Sequence, residues 1–560
     1  MKYSELIDVY EKLEKTSKRL EKTDIIAELF KKSPTEDLTK VVLLLSGKVF
    51  PTWSEEKTGV ASQIMIKAIS KATGINEKDI IKQYRKTGDL GLVTEELVKK
   101  KQQKTLFSKT LGIDKVHDNF TKIARQEGKA SQERKLDLIS ELIAHAKPNE
   151  AKYIVKTILE ELRIGVAEGV IRDSIALAFD VDSKEVENAW FLEPDYGKVA
   201  QIAKKGELSK VKVKFGIPLI PLLAVKAPSL EQALKDAKEP AIEFKFDGMR
   251  AQIHKKGKEV WIYTRRQENV TNAFPDIVEL CKNIKCNECI IEGEVLAIDK
   301  KTNRPMPFQK LSQRIKRKHD IQKTIKEIPV QVNLFDILFL DGKLLFDKKL
   351  KDRRAILEKI VHEIPEKFQL SYMLVTKDLK KAQKFYEKAL SEGQEGVMVK
   401  NLDASYQPER HVGYWWKVKP TLETLDLVVI GGTWGTGKRA GWIGSYVLGC
   451  LDSDTGKYLE CGMLGSGLKE KKTEEGDITM DELTKLLKPY IESENGQDLK
   501  IKPKLVIEVA YEEIQESPKY SSGYALRFPR VVRIRIDKGP KDVDTVERIK
   551  EIYSMQKGKK

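Results

Sequence analysis

The sequence predicts a multidomain protein with three regions in series: an all-α region over residues 1–213, an α+β region over 214–420, and an all-β barrel with a closing helix over 421–560. Three observations carry this reading. Apolar residues recur at three- and four-residue spacing through roughly the first 210 positions. Short apolar runs then alternate with helical stretches, and after Pro420 the chain turns to short, glycine-rich strands. The length of 560 residues, at about 150 per domain, fits three or four domains with cores that need no disulfide or metal staple.

In the first region, Ser33-Pro34-Thr35-Glu36 reads as a capping box with proline at the first helical position. It predicts a helix that starts at Ser33 and carries Leu38, Val41, Val42 and Leu45. A longer run from Ser131 places Leu136, Ile139, Leu142 and Ile143 on one face, breaks at Pro148 and resumes through Tyr153, Ile154 and Ile158. Pro218, Pro221 and Pro228 mark an extended connector. Strands are expected beyond it over 242–247, 261–264, 290–298, 330–339, 397–400 and 415–419, with helices over 352–364 and 378–390. The barrel strands are expected over 426–432, 446–452, 505–511 and 531–536, followed by a helix over 545–555.

Composition narrows the function classes. Lys and Arg number 102 against 85 Asp and Glu, a net charge of +17 that suits a polyanionic partner such as nucleic acid or nucleotide. A Lys-rich solvated surface has the same composition. The apolar stretches, such as 41–45 and the proline-broken 215–225, are too short to span a bilayer, and the N-terminus has no signal-peptide core. Five cysteines make no disulfide framework, so the expected compartment is the reducing cytoplasm, with no membrane partner. Cys281, Cys286 and Cys289 have a C-x4-C-x2-C spacing that could open a metal site; burial of small apolar thiols is the preferred reading.

The segment Ile242 to Arg250 concentrates the chemistry. Apolar residues alternate with Glu243, Lys245 and Asp247, so in a strand one face is apolar and the other carries a base between two acids. An ordinary amphipathic strand would show the same alternation. The full string Lys245-Phe246-Asp247-Gly248-Met249-Arg250 is more specific, and it resembles the nucleotidyl-lysine motif of polynucleotide ligases and mRNA capping enzymes. Further motifs follow in family order: Thr264-Arg265-Arg266, Glu292-Gly293-Glu294, Leu334-Phe335-Asp336-Ile337, Glu395 to Lys400, Trp416-Lys417-Val418-Lys419, and Arg527-Phe528-Pro529-Arg530 running to Lys538. With Leu162-Arg163-Ile164-Gly165 in the first region, the whole chain is similar to ATP-dependent DNA ligases of the archaeal and eukaryotic type.

The resemblance implies a helical DNA-binding domain over 1–213, an adenylation (nucleotidyltransferase) domain over 214–420 and an OB-fold over 421–560. It implies that Lys245 attacks the α-phosphate of ATP, that AMP passes to the 5′-phosphate of a nick in duplex DNA, and that the 3′-hydroxyl then displaces AMP. It gives Glu243 and Phe335 to adenine, and Arg250 and Arg265 to ribose and phosphates. Glu294, Lys400, Lys417 and Lys419 complete the nucleotide pocket, and Arg527, Arg530 and Lys538 reach the pyrophosphate from the barrel. Glu294 and Glu395 are the expected Mg²⁺ ligands, since hard cations prefer carboxylate oxygen. A lysine of pKa ~10.4 is neutral about once in 2,500 molecules at pH 7. Lys245 therefore needs neighbouring cations (Arg250, Lys417, Lys419 and a metal ion) to offset Asp247. Strict alternation would put Glu395 and Lys400 on opposite faces, so a β-bulge is expected at Gly396.

Gln103-Lys104-Thr105-Leu106-Phe107 resembles a shortened sliding-clamp-binding peptide, with Gln103, Leu106 and Phe107 as anchors; the other reading is a helix end packed into the N-terminal core. The enzyme is expected to be monomeric. An RNA ligase or capping-type nucleotidyltransferase is the alternative enzyme, and a non-catalytic nucleic-acid-binding scaffold the alternative of another class. ADP or NAD in place of ATP stays open.

Overall fold

The structure is a computed structural model that describes all residues except 55, 101–109, 129, 316–319, 411, 421, 437–438, 440, 471, 473–476 and 557–560. The chain divides into two compact units, one of residues 1–77, 94–389 and 394–419, the other of residues 78–93, 390–393 and 420–560. The architecture is an N-terminal helical region, a central region of two sheets with flanking helices, and a C-terminal barrel closed by helices.

The N-terminal region is helical, as the apolar spacing predicts. The run from Ser131 folds as the helices Ser131–His145 and Pro148–Ile158, which bury Ile139, Leu142, Ile143, Tyr153 and Ile154. The expected start at Ser33 is corrected. Ser33 ends the helix Arg19–Lys32, its hydroxyl donating back to Leu29 O at 2.7 Å, and the next helix is Leu38–Leu45. A serine hydroxyl serves either helix end, and here the longer preceding helix captures it.

Two antiparallel-rich sheets build the central region. One has five strands in the order Met373–Val375, Pro240–Phe244, Val397–Asn401, Trp415–Val418, Val225–Lys226. The other runs Glu259–Thr264, Met249–Lys256, Glu288–Ala297, Val330–Leu340, Lys343–Leu344, with Phe368–Leu370 beside Val330–Leu340. Each sheet has an oily face. Ile242, Val397, Val399, Trp416 and Val418 pack on Ala382, Phe385 and Ala389 of the helix Leu379–Ser391. Ala251, Ile253, Ile291, Val295 and Val332 join Phe274 and Leu357 in a second core.

The expected strand over 242–247 stops at Phe244 and a new strand starts at Met249. Gly248 sits in the break because a Cβ there would lie 2.4 Å from Val295 O. Cys281 and Cys289 are buried in the second core and Cys286 packs partly against it. Among the described residues, no helix is long and apolar enough to cross a membrane.

In the C-terminal unit, the strands Tyr458–Leu464, Ile443–Leu451, Leu425–Trp434, Asp498–Ile501 and Ile491–Asn495 follow one another in a sheet, with Val506–Ala510 bridging Leu425–Trp434 to Arg530–Ile534. Leu483 and Leu487 of the helix Met480–Leu487, and Ile549 and Ile552 of Val546–Met555, close the barrel core. The helix Met480–Leu487 starts on a reciprocal cap, with Thr479 Oγ1 accepting from Glu482 N at 3.1 Å and Glu482 Oε2 accepting from Thr479 N at 3.0 Å.

Candidate active site

Register puts the expected residues of the five-stranded sheet on one face. Lys400 pairs with Ala241 and with Trp415, and Met398 pairs with Glu243 and with Lys417. Alternation then aligns Glu243, Lys400 and Lys417 opposite the oily face that holds Ile242, Val399, Trp416 and Val418. Lys245 and Glu395 lie just beyond the strand ends and are stitched together by the backbone: Lys245 N donates to Gly396 O and Glu395 N to Lys245 O, each at 2.9 Å.

The expected β-bulge at Gly396 is absent, because the pairing of Val397–Asn401 carries no register shift. Gly396 instead precedes the strand at φ +134°, in contact so close that a Cβ would meet Val418 O at 2.2 Å. That left-handed residue turns Glu395 toward Lys245 while leaving Lys400 in strand alternation.

Two ion-pair clusters result. Lys400 Nζ donates to Glu243 Oε2 at 2.9 Å, with both side chains at most 3% exposed. The same ammonium lies 4.3 Å from the Phe335 ring centre and 4.5 Å from that of Trp415, and the two rings meet edge to face at 5.8 Å. Burial pushes Lys400 below the ordinary lysine range, with Glu243 working the other way.

In the second cluster, Glu395 Oε2 forms ion pairs with Lys245 Nζ at 2.6 Å and with Lys419 Nζ at 2.8 Å. Burial would raise this carboxyl, but the two ammoniums hold it well below the usual carboxylate range. Glu294 is different. Burial pushes its carboxyl up to about 7, against the pull of Lys245 and Arg250. Asp247 accepts from Phe308 N at 3.3 Å, and Glu395 is in ion-pair contact with Lys245. The strand ends at Phe244, so strand alternation does not extend to Lys245 and Asp247.

Arg250 stands opposite Glu294 across the strand pair. Its Nη1 donates to Leu222 O at 2.6 Å and its Nη2 to Glu292 Oε2 at 2.7 Å, while the Tyr406 hydroxyl donates to that same oxygen at 3.0 Å. Arg265 borders the same cleft, with Gln252, Thr264, Gln267 and Glu292. Sequence reasoning singled out Glu294 of the Glu-Gly-Glu string and missed Glu292, though residues two apart on a strand share a face. Gln267 and Tyr406 carry no such signal.

Arg527 and Lys538 belong to the C-terminal unit. Arg527 pairs with Glu513 at 3.7 Å, Lys538 with Asp426 at 2.6 Å, and Arg530 is exposed. The clamp-like peptide Gln103 to Phe107 lies outside the described residues. Among the described residues, no three His, Cys, Asp or Glu side chains converge as a closed metal cage would. Glu294 and Glu395 nevertheless fit Mg²⁺, which is usually held by one or two carboxylates and substrate phosphates. A buried carboxyl pushed up to about 7 is one that gains from an added cation.

Family models match the chain in three places: a DNA ligase N terminus over residues 2–176, an ATP dependent DNA ligase domain over 221–419 and an ATP dependent DNA ligase C terminal region over 439–538. A DNA ligase of Nanoarchaeum equitans is 50% identical over 563 residues, covering 100% of this chain and 99% of the relative. One of Thermococcus onnurineus is 46% identical, covering 99% and 98%. Among solved structures, one titled Pmar-Lig_PreS3 shares the fold with a TM-score of 0.59 at 18% identity, covering 95% of this chain and 99% of that one.

Proposed function

The chain belongs to the ATP-dependent DNA ligase family, and from that membership we infer that Lys245 is the amine that takes AMP from ATP. The observation that carries the reading is the shared Glu395 oxygen, 2.6 Å from Lys245 and 2.8 Å from Lys419. Lys245 must leave that carboxylate and lose its proton before it can attack. Lys419 already occupies the same oxygen, so Glu395 keeps a counter-charge when Lys245 turns to phosphate. Lys417 and Lys419, two residues apart, offer adjacent positive charge to the polyphosphate. Phe335 and Trp415 give the base an apolar wall edged by Glu243 and Lys400, and Arg250 and Arg265 take the ribose and phosphate side.

In the first step the Lys245 nitrogen bonds to the α-phosphorus and pyrophosphate leaves, with Arg527, Arg530 and Lys538 of the OB-fold assisting its departure. AMP then moves to the 5′-phosphate of the nick, and the 3′-hydroxyl displaces it to close the strand. Glu294 and Glu395 would hold Mg²⁺, which would supply neutralising charge to the phosphates. The basic surface grips DNA through its phosphates, so binding weakens steeply with salt.

The test is incubation with α-labelled ATP and Mg²⁺, then nicked DNA. Label should bind the protein, leave when the nick arrives, and be absent from Lys245→Ala. Label that stays on the protein with nicked DNA but leaves with RNA ends would favour the RNA-ligase reading. We further propose that the enzyme acts as a cytoplasmic monomer, with the domains divided at 213/214 and 420/421, and that Gln103, Leu106 and Phe107 dock on a sliding clamp. Unchanged clamp affinity in a folded Leu106→Ala/Phe107→Ala variant would remove the clamp idea.

A further inference from the structure

We propose that Gln267 is a specificity-determining residue for ATP, its side-chain amide donating to a ribose hydroxyl in the cleft beside Arg250. The inference rests on the reading of Lys245 as the adenylated lysine.

Three buried polar atoms without a partner among the described residues border this one cleft: Gln267 Nε2, Arg250 Nε and Glu292 Oε1. Gln267 is 7% exposed and Glu292 0%. Unpaired polar groups this deep are uncommon in folded proteins, and three around one space point to a missing group. The remaining atoms of the Arg250–Glu292 pair are engaged, with Leu222 O, with one another and with Tyr406, so the pair cannot turn to satisfy itself. Gln267 also holds its backbone at φ +66°, a left-handed conformation that strains any residue but glycine. Strain of this kind persists where the placement of a side chain matters.

The leftover atoms define the ligand. Two donors and one acceptor face a space with room for about one hydroxyl-sized group. A hydroxyl both donates and accepts, and so satisfies Glu292 and Gln267 together. A phosphate oxygen only accepts, and would bring negative charge against the Glu292 carboxylate. Position agrees with chemistry. Arg250 stands opposite Glu294, which feels the Lys245 charge, and its guanidinium carbon is 5.6 Å from the Phe335 ring centre. A nucleotide reaching from Lys245 toward Phe335 carries its free hydroxyls on the ribose between them.

The experiment compares lysine adenylation with ATP, 2′-deoxyATP and 3′-deoxyATP for the full-length wild type, Gln267→Leu and Gln267→Gly. The wild type should use one deoxy analogue about tenfold less efficiently than ATP. In both variants kcat/KM for ATP should fall about tenfold, mainly through KM, to meet that analogue, whose own value holds. Glycine adopts φ +66° without strain, so Gln267→Gly should unfold no earlier than the wild type, which separates lost recognition from lost folding. If both variants keep the wild-type ratio of ATP to deoxyATP, the cleft holds only a water and the proposal is overturned. A wild type that takes no label on Lys245 would instead overturn the assignment of the lysine.

Discussion

The central two-sheet region and the C-terminal barrel both carry basic residues matched to family motifs, but they hold them differently. In the central region some cations meet a specific carboxylate away from water. Lys400 meets Glu243 in this way, and Arg353 meets Asp336 through two hydrogen bonds of 2.7 and 2.8 Å. In the barrel, Arg527 is about one-third exposed and 3.7 Å from Glu513, and Lys538 is as exposed beside Asp426. Buried pairs are costly to break because the survivor is left as an uncompensated charge, whereas exposed pairs separate at almost no cost. The difference teaches that the sheets fix geometry while the barrel residues stay available to change partners.

The largest expected effect sits where the sheet geometry meets the chemistry. Lys245→Ala removes the proposed nucleophile, and protein labelling by α-labelled ATP should fall at least about a thousandfold. The fold should survive, since Glu395 retains Lys419. Residual labelling near wild type would detach the cluster from catalysis. Next comes Lys400→Met, which strands Glu243 in a dry site. Denaturant unfolding should show a loss of about 3–5 kcal/mol, part of it recovered by adding Glu243→Gln. A loss under about 1 kcal/mol would erase the contrast with the barrel.

How much of this was readable beforehand follows the same division. Alternation along Trp416-Lys417-Val418-Lys419 was enough to assign the oily and charged faces, because one side of that strand packs against a helix. The ordered motifs pointed to Lys245, Glu294 and Glu395, and the structure brings these into one charge cluster. What failed was local backbone. The break after Phe244 and the φ of Gly396 depend on contacts with Val295 O and Val418 O, which are far away in sequence. Ser33 closes the helix before it and does not start the next, because a serine hydroxyl serves either helix end. Gln267 and Tyr406 were invisible because long-range packing alone makes them matter.

The carboxyls sharpen the comparison through pH. Glu294 has a folded-state pKa of about 7, above its ordinary 4.5, so between those values the folded protein binds more protons than the unfolded chain. Its contribution to stability is therefore most favourable below about pH 4.5 and is lost as pH rises to about 7 and beyond, by at most about 3 kcal/mol. Glu294→Gln should flatten that part of the stability profile, measured by thermal unfolding from pH 5 to 8 in the absence of divalent ions. If the slope is unchanged in the variant, Glu294 is solvated like a surface acid and the sheets lose one of their distinguishing charges.

The smallest structural effect belongs to the barrel. Asp426 accepts from Lys538 at 2.6 Å and also from Arg535 at 2.9 and 2.8 Å, so removing the lysine leaves the carboxylate paired. Lys538→Ala should change unfolding by less than about 1 kcal/mol. Function offers the sharper readout. A lysine that contacts pyrophosphate acts only in the first step, so lysine adenylation should drop about tenfold, while sealing of DNA supplied already adenylated at its nick keeps the wild-type rate. Equal losses in both assays would mean that Lys538 serves the barrel fold or DNA contact. A destabilisation above about 3 kcal/mol would place its ion pair among the dry ones of the sheets, because only a desolvated charge carries that penalty.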